Sequence, residues 1–246
     1  GMGGISTDLR TGLAFCTRLP IAAPPNANLG EAVWTFPLAG LLVGAVAALV
    51  YWLTSPLGSF VAATLGIAAA TLLTGCLHED GLADTADGFG GGATKARKLE
   101  IMHDSRSGAF GVTALILSFM LRAGAIASLA APAPVAAALI ATHMGARAVL
   151  PLFMAMLPQA RLDGLSASIG TPQRGPVVIA VALGGFALVL CLGLGAGLIA
   201  AALVALVLLG LVRLAREQIG GQTGDVIGAL EQAAEIVILL TAAALL

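Results

Sequence analysis

Acidic residues are concentrated in one segment of this chain, residues 78–106, which reads HEDGLADTADGFGGGATKARKLEIMHDSR. Asp80, Asp84 and Asp87 are spaced four and three residues apart, so on a helix they share a face about 60° wide. Three carboxylates on one face repel one another at neutral pH unless a cation lies among them. Carboxylate oxygens suit Mg²⁺ or Mn²⁺, and Mg²⁺ is usually bound together with substrate phosphates. The spacing therefore predicts a Mg²⁺ site for a phosphate or pyrophosphate group, with Glu79 as a further candidate ligand.

The same segment has a plainer interpretation. A solvated loop would carry these charges only to stop the preceding helix from entering a membrane. Acidic residues are not needed for that purpose, since basic residues set membrane topology more effectively. Charged residues make up only 10% of the chain, yet many of them are found here. We therefore favour the metal site.

Residues beside the acidic positions are candidates for binding or converting the rest of a phosphorylated substrate. A glycine-rich run at 88–92 can bring backbone N–H groups close to phosphate, although flexible loops in general have this composition. The candidates for catalysis are Asp84, Asp104 and His78, and the candidates for binding an anion are Lys98 and Arg106. Lys98 is alternatively a topology signal, Asp104 part of a helix cap, and His78 an interfacial side chain.

Charged residues also occur inside long apolar stretches. Arg122 and Arg147 are flanked by apolar sequence, and an arginine in lipid is costly unless it faces a partner or a polar cavity. The same argument applies to Glu231 and Glu235, which are four residues apart and so share a helix face. We expect a structural ion pair for Arg122, and count Arg147 and Glu231 among the candidate substrate-binding residues, with structural pairing as the alternative.

A glycine-rich turn, GGQTGD at residues 220–225, precedes these glutamates. Its glycines allow a tight turn and a close approach to a bound phosphate. We predict that the turn lines the same cavity as the acidic helix and that Asp225 contacts the substrate or orients a metal-bound group. The alternative is that Asp225 only caps the helix that follows.

The composition indicates the environment of these residues. Hydrophobic residues make up 59% of the 246 residues and charged residues 10%, against about 45–50% and about 25% in soluble domains. An ordinary soluble domain and a disordered chain are both excluded. Three widely separated cysteines exclude a disulfide scaffold and a thiolate metal site. The net charge of −1 gives no basis for nucleic-acid binding.

Several stretches approach the length of about 20 apolar residues that crosses a bilayer. They are found at 36–53, 60–77, 108–130, 135–157, 177–193, 198–213 and 229–246. We therefore predict an all-α fold, a polytopic membrane helix bundle of about seven transmembrane helices, as one domain over residues 1–246. The second span is expected to continue as a helix past the membrane, which would place the acidic face at the mouth of the bundle.

The basic residues predict the orientation of the bundle. All of the 12 basic residues except Arg122 and Arg147 fall in alternate connecting segments. The positive-inside rule assigns those segments to the cytoplasm. The acidic segment lies between two spans on the same side, so we expect the active site to face the cytoplasm.

Two long motifs, LHEDGLADTADGFGGG at 77–92 and KLEIMHDSRSGAFG at 98–111, resemble cobalamin synthase, the adenosylcobinamide-GDP ribazoletransferase family. Further similar stretches are LAFCTRLP at 13–20, FPLAG at 36–40, ARLDGLSASIG at 160–170 and GGQTGDVIGA at 220–229. The resemblance covers essentially the whole chain, and its acidic motif is long and specific.

The resemblance implies a Mg²⁺-dependent phosphoryl transfer in the cytoplasmic (inner) membrane of a prokaryote. The 5′-hydroxyl or 5′-phosphate end of α-ribazole would attack the phosphorus on the cobinamide side of adenosylcobinamide-GDP. GMP would leave, and adenosylcobalamin or its 5′-phosphate would form. Arg18, in LAFCTRLP, joins the candidate substrate-binding residues. The expected partners are these two substrates and membrane lipid, not nucleic acid, and self-association into a homo-oligomer stays open.

Two other classes of membrane protein remain as alternatives. A CDP-alcohol phosphotransferase also uses a helical Asp cluster, but in a DGxxAR setting, whereas this chain reads Asp80-Gly81-Leu82-Ala83-Asp84, lacks the arginine and departs from the later spacing. A transporter would use intramembrane charges as pathway residues and would be expected to show an inverted repeat, which the sequence lacks. Release of GMP from the activated cobinamide would distinguish the three.

Overall fold

The computed structural model describes residues 4–25, 27–161 and 170–246. Within these ranges the chain is helical and has no strand, only an isolated bridge between Gln159 and Gln222, which confirms the all-α class. In chain order the helices are α1 (Ile5–Cys16), α2 (Leu29–Ala32), α3 (Phe36–Thr54), α4 (Ser59–Thr74), α5 (Leu77–Gly91), α6 (Lys95–Met102), α7 (Ala109–Leu129), α8 (Pro132–Ala148), α9 (Leu150–Met156), α10 (Arg174–Leu192), α11 (Leu194–Ile219) and α12 (Gly224–Leu245).

Several of these helices are long and apolar enough to cross a membrane. In the described part of the chain six runs qualify: 29–57, 109–129, 132–156, 174–192, 194–219 and 224–245. A seventh crossing is formed if α4 and α5, which meet at 91°, make one broken span. Large apolar side chains such as Trp52, Leu72 and Phe186 remain exposed, as contact with lipid requires. The predicted polytopic bundle of about seven spans is confirmed.

The last two spans are longer than the sequence predicted. The helix expected over 198–213 extends from Leu194 to Ile219, and the one expected over 229–246 begins at Gly224. Gly193, with φ +82°, separates α10 from α11. The predicted start of α12 was too late because Glu231 and Glu235 were treated as doubtful membrane residues.

The second span does not continue straight past the membrane, so that expectation was wrong. Gly75 and Cys76 both adopt left-handed backbone conformations and end α4 before α5 begins. Their N–H groups donate to the carbonyls of Leu72 and Thr71 at 3.2 and 2.9 Å. The N–H of Arg18 donates to the Leu73 carbonyl at 2.7 Å, so the carbonyls freed by the break are bonded within the protein.

The acidic helix α5 lies against α12, and the two run antiparallel. His78, at the start of α5, contacts α12 at Glu231, whereas Gly81 lies at Asp225 near the start of α12. A Cβ at Gly81 would lie 2.7 Å from the Asp225 carbonyl oxygen and 3.0 Å from the Cα of Gly228. Only glycine therefore permits this approach, which places the acids of α5 beside the turn that precedes α12.

Candidate active site

Six buried charged or titratable side chains meet in the interior of the bundle, and we call them the central ion network: Glu79, Arg122, His143, Arg147, Glu231 and Glu235. They come from α5, α7, α8 and α12. Arg147 is among the largest fully buried side chains of the described residues. Its position between two glutamates of α12 explains how an arginine is accommodated inside the membrane.

Each arginine of the central ion network is paired with carboxylates. Arg147 lies 2.7 Å from the Glu231 carboxylate and 3.5 Å from that of Glu235. Arg122 donates to Glu235 at 2.8 Å and lies 3.6 Å from Glu79. The neutral partners Ser118 and Gln232 extend the network.

The His143, Glu231 and Glu235 side chains also have the spacing of metal ligands. In the described residues they are the one set of three such side chains whose ligand atoms lie within 4.8 Å of one another. The carboxylates of Glu231 and Glu235, however, already face the guanidinium groups of Arg147 and Arg122. Since those cations balance the charge, we interpret the set as ion pairing that joins the helices, not as a metal centre.

These ion pairs indicate the role of the charged residues that lie inside the apolar spans. Arg122 forms the structural ion pair that the sequence predicted. Arg147 and Glu231 form an ion pair with each other, which is the structural alternative given for them above. Glu231 is 0% exposed and does not line the adjacent cavity. Their predicted contact with substrate remains untested, but the structure gives each of them a buried protein partner.

A cavity of about 300 Å³ lies next to the central ion network. Helices α1, α3, α5, α9 and α12 surround it, together with the segment after α9. Its polar lining consists of His78, Asp80, Arg161 and Asp225, and its apolar lining includes Phe15, Cys16, Phe36, Leu77, Leu150, Met154 and Ile227. The glycine-rich segment 220–225, through Gly224 and Asp225, and the acidic helix thus contribute to one cavity, as predicted.

The polar side of the cavity carries more negative than positive charge. Asp225 accepts from Arg161 at 3.1 Å and from Thr223 at 3.3 Å. Asp84 interacts electrostatically with Asp80, Asp225 and Arg161. No side chain of the described residues forms a hydrogen bond or ion pair with the carboxylates of Asp80 or Asp84. These two acids are therefore open to a cation.

The structure does not give Asp225 the alternative role of helix cap. Thr223 is the N-cap of α12, and its hydroxyl accepts from the N–H of Val226 at 3.3 Å. Asp225 lies in the first helical turn, where a carboxylate also interacts favourably with the helix dipole. Its side chain is thus free of capping and lines the cavity.

The four predicted metal ligands are divided among three places. Asp80 lines the cavity, and Asp84 shares its face of α5 and lies near Asp225 without being part of the lining. Glu79 points to a different side of α5 and contacts Arg122 of the central ion network. One residue turns a helix by about 100°, which separates Glu79 from Asp80. Asp87 accepts from the N–H groups of Gly108 and Gly111 at 2.6 and 2.8 Å.

Asp87 therefore caps α7 from a neighbouring helix. The residue at the N-cap position of α7 is Gly108, which has no side chain to do so. Asp104, for which we had considered capping as the alternative, is not the cap. Asp104 instead accepts a two-point contact from Arg106 at 2.9 and 3.2 Å in the exposed segment before α7, and this guanidinium lowers the pKa of Asp104.

The remaining basic candidates lie outside the cavity. Lys98 donates to the carbonyl of Gly92 at 2.7 Å and so caps the end of α5. Arg106 lines a second, shallower depression of about 350 Å³ together with Arg97, Asp87 and Asp104. Arg18 is exposed and packs against Gly75 at the break between α4 and α5. None of these three residues lines the cavity with Asp80 and Asp225.

Sequence reasoning missed two contributions to the cavity. Arg161 was treated as a topology signal alone, although its place in the ARLDGLSASIG motif at 160–170 was a usable indication. Residues 162–169 of that motif lie outside the described residues. The aromatic wall formed by Phe15 and Phe36 was missed too, although both lie in motifs that carried the resemblance.

Comparison with known proteins assigns the chain to a family. The sequence model described as "Cobalamin-5-phosphate synthase" matches residues 8–243. The chain belongs to this family. Cobalamin-5-phosphate synthases are transferases of cobalamin biosynthesis, and the chain is therefore an enzyme of that class. No solved structure matches it.

Curated relatives of this cobalamin-5-phosphate synthase family member cover nearly its whole length. A protein named adenosylcobinamide-GDP ribazoletransferase from Bradyrhizobium diazoefficiens is 54% identical over 98% of the chain and 94% of its own length. Proteins of the same name from Mesorhizobium japonicum and Azorhizobium caulinodans are 46% and 42% identical, over 97% and 96% of the chain and 93% and 95% of their own lengths.

Proposed function

We propose that this protein is an adenosylcobinamide-GDP ribazoletransferase that joins α-ribazole, or its 5′-phosphate, to the cobinamide phosphoryl group. The observation that carries the proposal is the cavity in which Asp80 and Asp225, with Arg161, face one another across α5 and α12. Phosphoryl transfer relies mainly on positioning and on neutralising charge. Full-length similarity to proteins of that name supports the substrates.

The cavity acids Asp80 and Asp225, with Asp84 next to them on α5, fit a Mg²⁺ ion. Asp80 and Asp84 supply hard carboxylate oxygens. Among the described residues, no cationic side chain is paired directly with either carboxylate. Asp225 is a third oxygen donor at the same cavity. We assign Asp80 and Asp84 to hold the ion, with Asp225 beside them. When bound, Mg²⁺ would neutralise charge on the diphosphate.

The other side chains bind and orient the reacting groups. In the reaction with α-ribazole, the 5′-hydroxyl oxygen bonds to the cobinamide-side phosphorus, the bond from that phosphorus to the GMP oxygen breaks, and GMP leaves. His78 lines the cavity, and its Nδ1 lies 3.5 Å from the Glu231 carboxylate and 3.4 Å from an Arg147 nitrogen. With Nδ1–H donating to Glu231, Nε2 would be free to accept the hydroxyl proton, and we assign His78 to that role. Arg161 supplies a cation for phosphate oxygens.

The proposed location is the inner membrane, with the cavity opening to the cytoplasm. The basic connecting segments lie at the ends of the spans where α5 and α6 join and where α12 begins. The positive-inside rule assigns that side to the cytoplasm. Asp225, Arg161 and the acids of α5 are on the same side. Labelling should reach a cysteine at Ser55 only from outside and one at Thr94 only from inside.

Release of GMP tests the proposed reaction directly. Protein purified into lipid nanodiscs receives adenosylcobinamide-GDP, α-ribazole or its 5′-phosphate, and Mg²⁺, and GMP and the cobalamin product are quantified together. We expect stoichiometric formation of both, and none once a chelator removes Mg²⁺. The Glu217→Gln variant is the matched control, because Glu217 pairs with Arg213 on an exposed surface and should retain full turnover.

Either of two results would contradict the proposal. Turnover that persists in the presence of chelator would show that the reaction does not need Mg²⁺. GMP formation without a cobalamin product would indicate hydrolysis of the activated cobinamide. A membrane CDP-alcohol phosphotransferase would instead release CMP from a CDP-alcohol and ignore the corrinoid, and a transporter would release no nucleotide.

A further inference from the structure

The cavity has two chemically different ends. One end is lined by His78, Asp80, Arg161 and Asp225, and the other by carbon-rich side chains of α1, α3, α9 and α12. A ligand that fits both must combine a flat or apolar part with a hydroxylated or phosphorylated part. Nucleosides have this division, because a heterocyclic base is joined to a ribose.

The apolar end offers an aromatic surface. The rings of Phe15 and Phe36 stack with centroids 5.3 Å apart and an angle of 2° between their planes. Phe36 is 1% exposed, whereas Phe15 is only half-buried and reaches the cavity. Flat rings stack favourably on such a surface with an offset. Phe36 therefore fixes the orientation of Phe15, and Phe15 presents its ring to a ligand.

The other walls of this end are neutral. Leu150, Met154 and Ile227 contribute apolar side chains, and a thioether such as that of Met154 packs well against aromatic rings. Burial raises the pKa of the Cys16 thiol to about 12, so Cys16 adds no charge there. An uncharged base gains by entering this end, whereas a diphosphate or a propionamide-rich corrin would lose hydration without polar partners.

The size of the cavity agrees with a nucleoside. At about 300 Å³ it lies at the lower limit of small-molecule pockets, which run from about 300 to 1,000 Å³. A nucleoside fits into such a volume, whereas a corrinoid nucleotide is several times larger. Of the two proposed substrates, only the acceptor can therefore be enclosed here.

We infer that this cavity is the acceptor subsite, in which the base of α-ribazole stacks on Phe15 and its ribose points to Asp80 and Asp225. The inference rests on the proposed function for the identity of the nucleoside. In this orientation the 5′ end of the ribose lies at the charged end, beside the acids assigned to the metal. The corrinoid stays outside the cavity and presents only its diphosphate. Phe15 is then a specificity-determining residue for the lower base.

Binding and kinetics of Phe15 variants test the subsite. In Phe15→Ala we expect the KM for α-ribazole and its equilibrium Kd, measured by dialysis without corrinoid, to rise about tenfold, as the loss of one stacked ring predicts. The KM for adenosylcobinamide-GDP should stay within about twofold. Phe15→Leu keeps the apolar volume and loses the flat ring, so it should show an intermediate rise and guards against a folding defect.

Phe186→Ala is the matched control, since Phe186 is 64% exposed on α10, away from the cavity, and both constants should remain unchanged. The inference is overturned if both Phe15 variants leave the Kd for α-ribazole unaltered, or if the corrinoid KM rises instead. Wild-type protein that binds α-ribazole through Phe15 but forms no GMP would uphold the subsite and refute the proposed reaction. Normal turnover with no effect of the Phe15 substitutions would uphold the proposed reaction and refute the subsite.

Discussion

The central ion network and the acids of the cavity both draw on α5, but they differ in how their charges are balanced. Glu79, on one side of the helix, faces Arg122, and the glutamates of α12 face Arg147. On the other side, Asp80 and Asp84 have no direct cationic partner among the described side chains. Paired charges stabilise the bundle only together with their partners, whereas uncompensated ones are suited to bind a cation. Position on the helix, not residue type, thus separates the carboxylates paired within the protein from those proposed to hold the metal.

The largest effect is expected from breaking the central ion network. Replacing Arg147 by Met leaves the Glu231 carboxylate buried without its cation, which should lower the free energy of unfolding by about 3–5 kcal/mol. Denaturation in detergent micelles, followed by circular dichroism, measures the change. Arg213→Met, at an exposed ion pair, should have little effect. Replacing Glu231 by Met as well should recover part of the loss, and a single variant as stable as wild type would contradict the pairing.

Replacing an acid on the cavity face of α5 should impair turnover and leave stability unchanged. Asp84→Asn removes one charge with little change in shape, so we expect kcat to fall by about 100-fold while the unfolding curve stays unchanged. GMP release and thermal denaturation on the same preparation measure both. Glu100→Gln, at an exposed pair with Arg97, is the control and should remain active. Full activity in Asp84→Asn would return the acidic face to a role in topology.

Asp87 belongs to the structural group although its spacing places it with the cavity acids. Both of its oxygens accept backbone N–H groups of α7, and an amide offers only one oxygen. Asp87→Asn should therefore lower the free energy of unfolding by about 1.5–3 kcal/mol, the range for hydrogen bonds to a charged group. A loss of turnover in fully stable protein would show that Asp87 acts as a metal ligand instead.

Asp225 gives a further test of the difference between structural and cavity carboxylates, because the nearby Thr223, not Asp225, caps α12. Both Asp225→Asn and Asp225→Ala should lower kcat by at least about tenfold with an unchanged melting temperature, since each loses a charge at the cavity. Thr223→Ala should do the reverse, keeping most of the turnover and losing about 0.5–2 kcal/mol of stability. An active Asn variant beside an unstable Ala variant would assign Asp225 a structural role.

The smallest effect is expected at Asp104. Because Arg106 holds it in an exposed contact outside the cavity, Asp104→Asn should leave turnover within about twofold of wild type. Steady-state kinetics at saturating substrate measure this. A large loss of kcat would restore the catalytic role that the sequence suggested for this residue and would move the reaction towards the second depression.

The sequence was sufficient for the number of spans, the helical acidic segment and the glycine-rich turn at 220–225, because each depends on local composition and spacing. It was not sufficient to separate Glu79 and Asp87 from Asp80 and Asp84. Their separation depends on which helices lie against each side of α5, and only the tertiary fold supplies that information. The capping of α7 by Asp87 spans 21 residues of sequence, beyond the reach of any local capping pattern.

The break between α4 and α5 was hidden for a related reason. Gly75 is a typical helix end, but an apolar stretch with one glycine also crosses membranes as a continuous helix. The carbonyl of Leu73 is bonded by the N–H of Arg18, more than 50 residues earlier. A sequence pattern does not reveal that a distant main-chain donor makes the break tolerable in an apolar environment.

The composition of the central ion network has a consequence for biogenesis. Its two arginines enter the membrane with α7 and α8. Arg122 has Glu79 of the earlier helix α5 at 3.6 Å, but the carboxylates nearest to both arginines, Glu231 and Glu235, belong to α12, the last of the described helices. Until α12 is in place, Arg147 lacks both of its described carboxylate partners at the level of the hydrocarbon, a state that lipid disfavours. We therefore expect the early spans to reach their final packing only after α12 inserts, and a chain cut short before residue 224 to be recognised by membrane quality control.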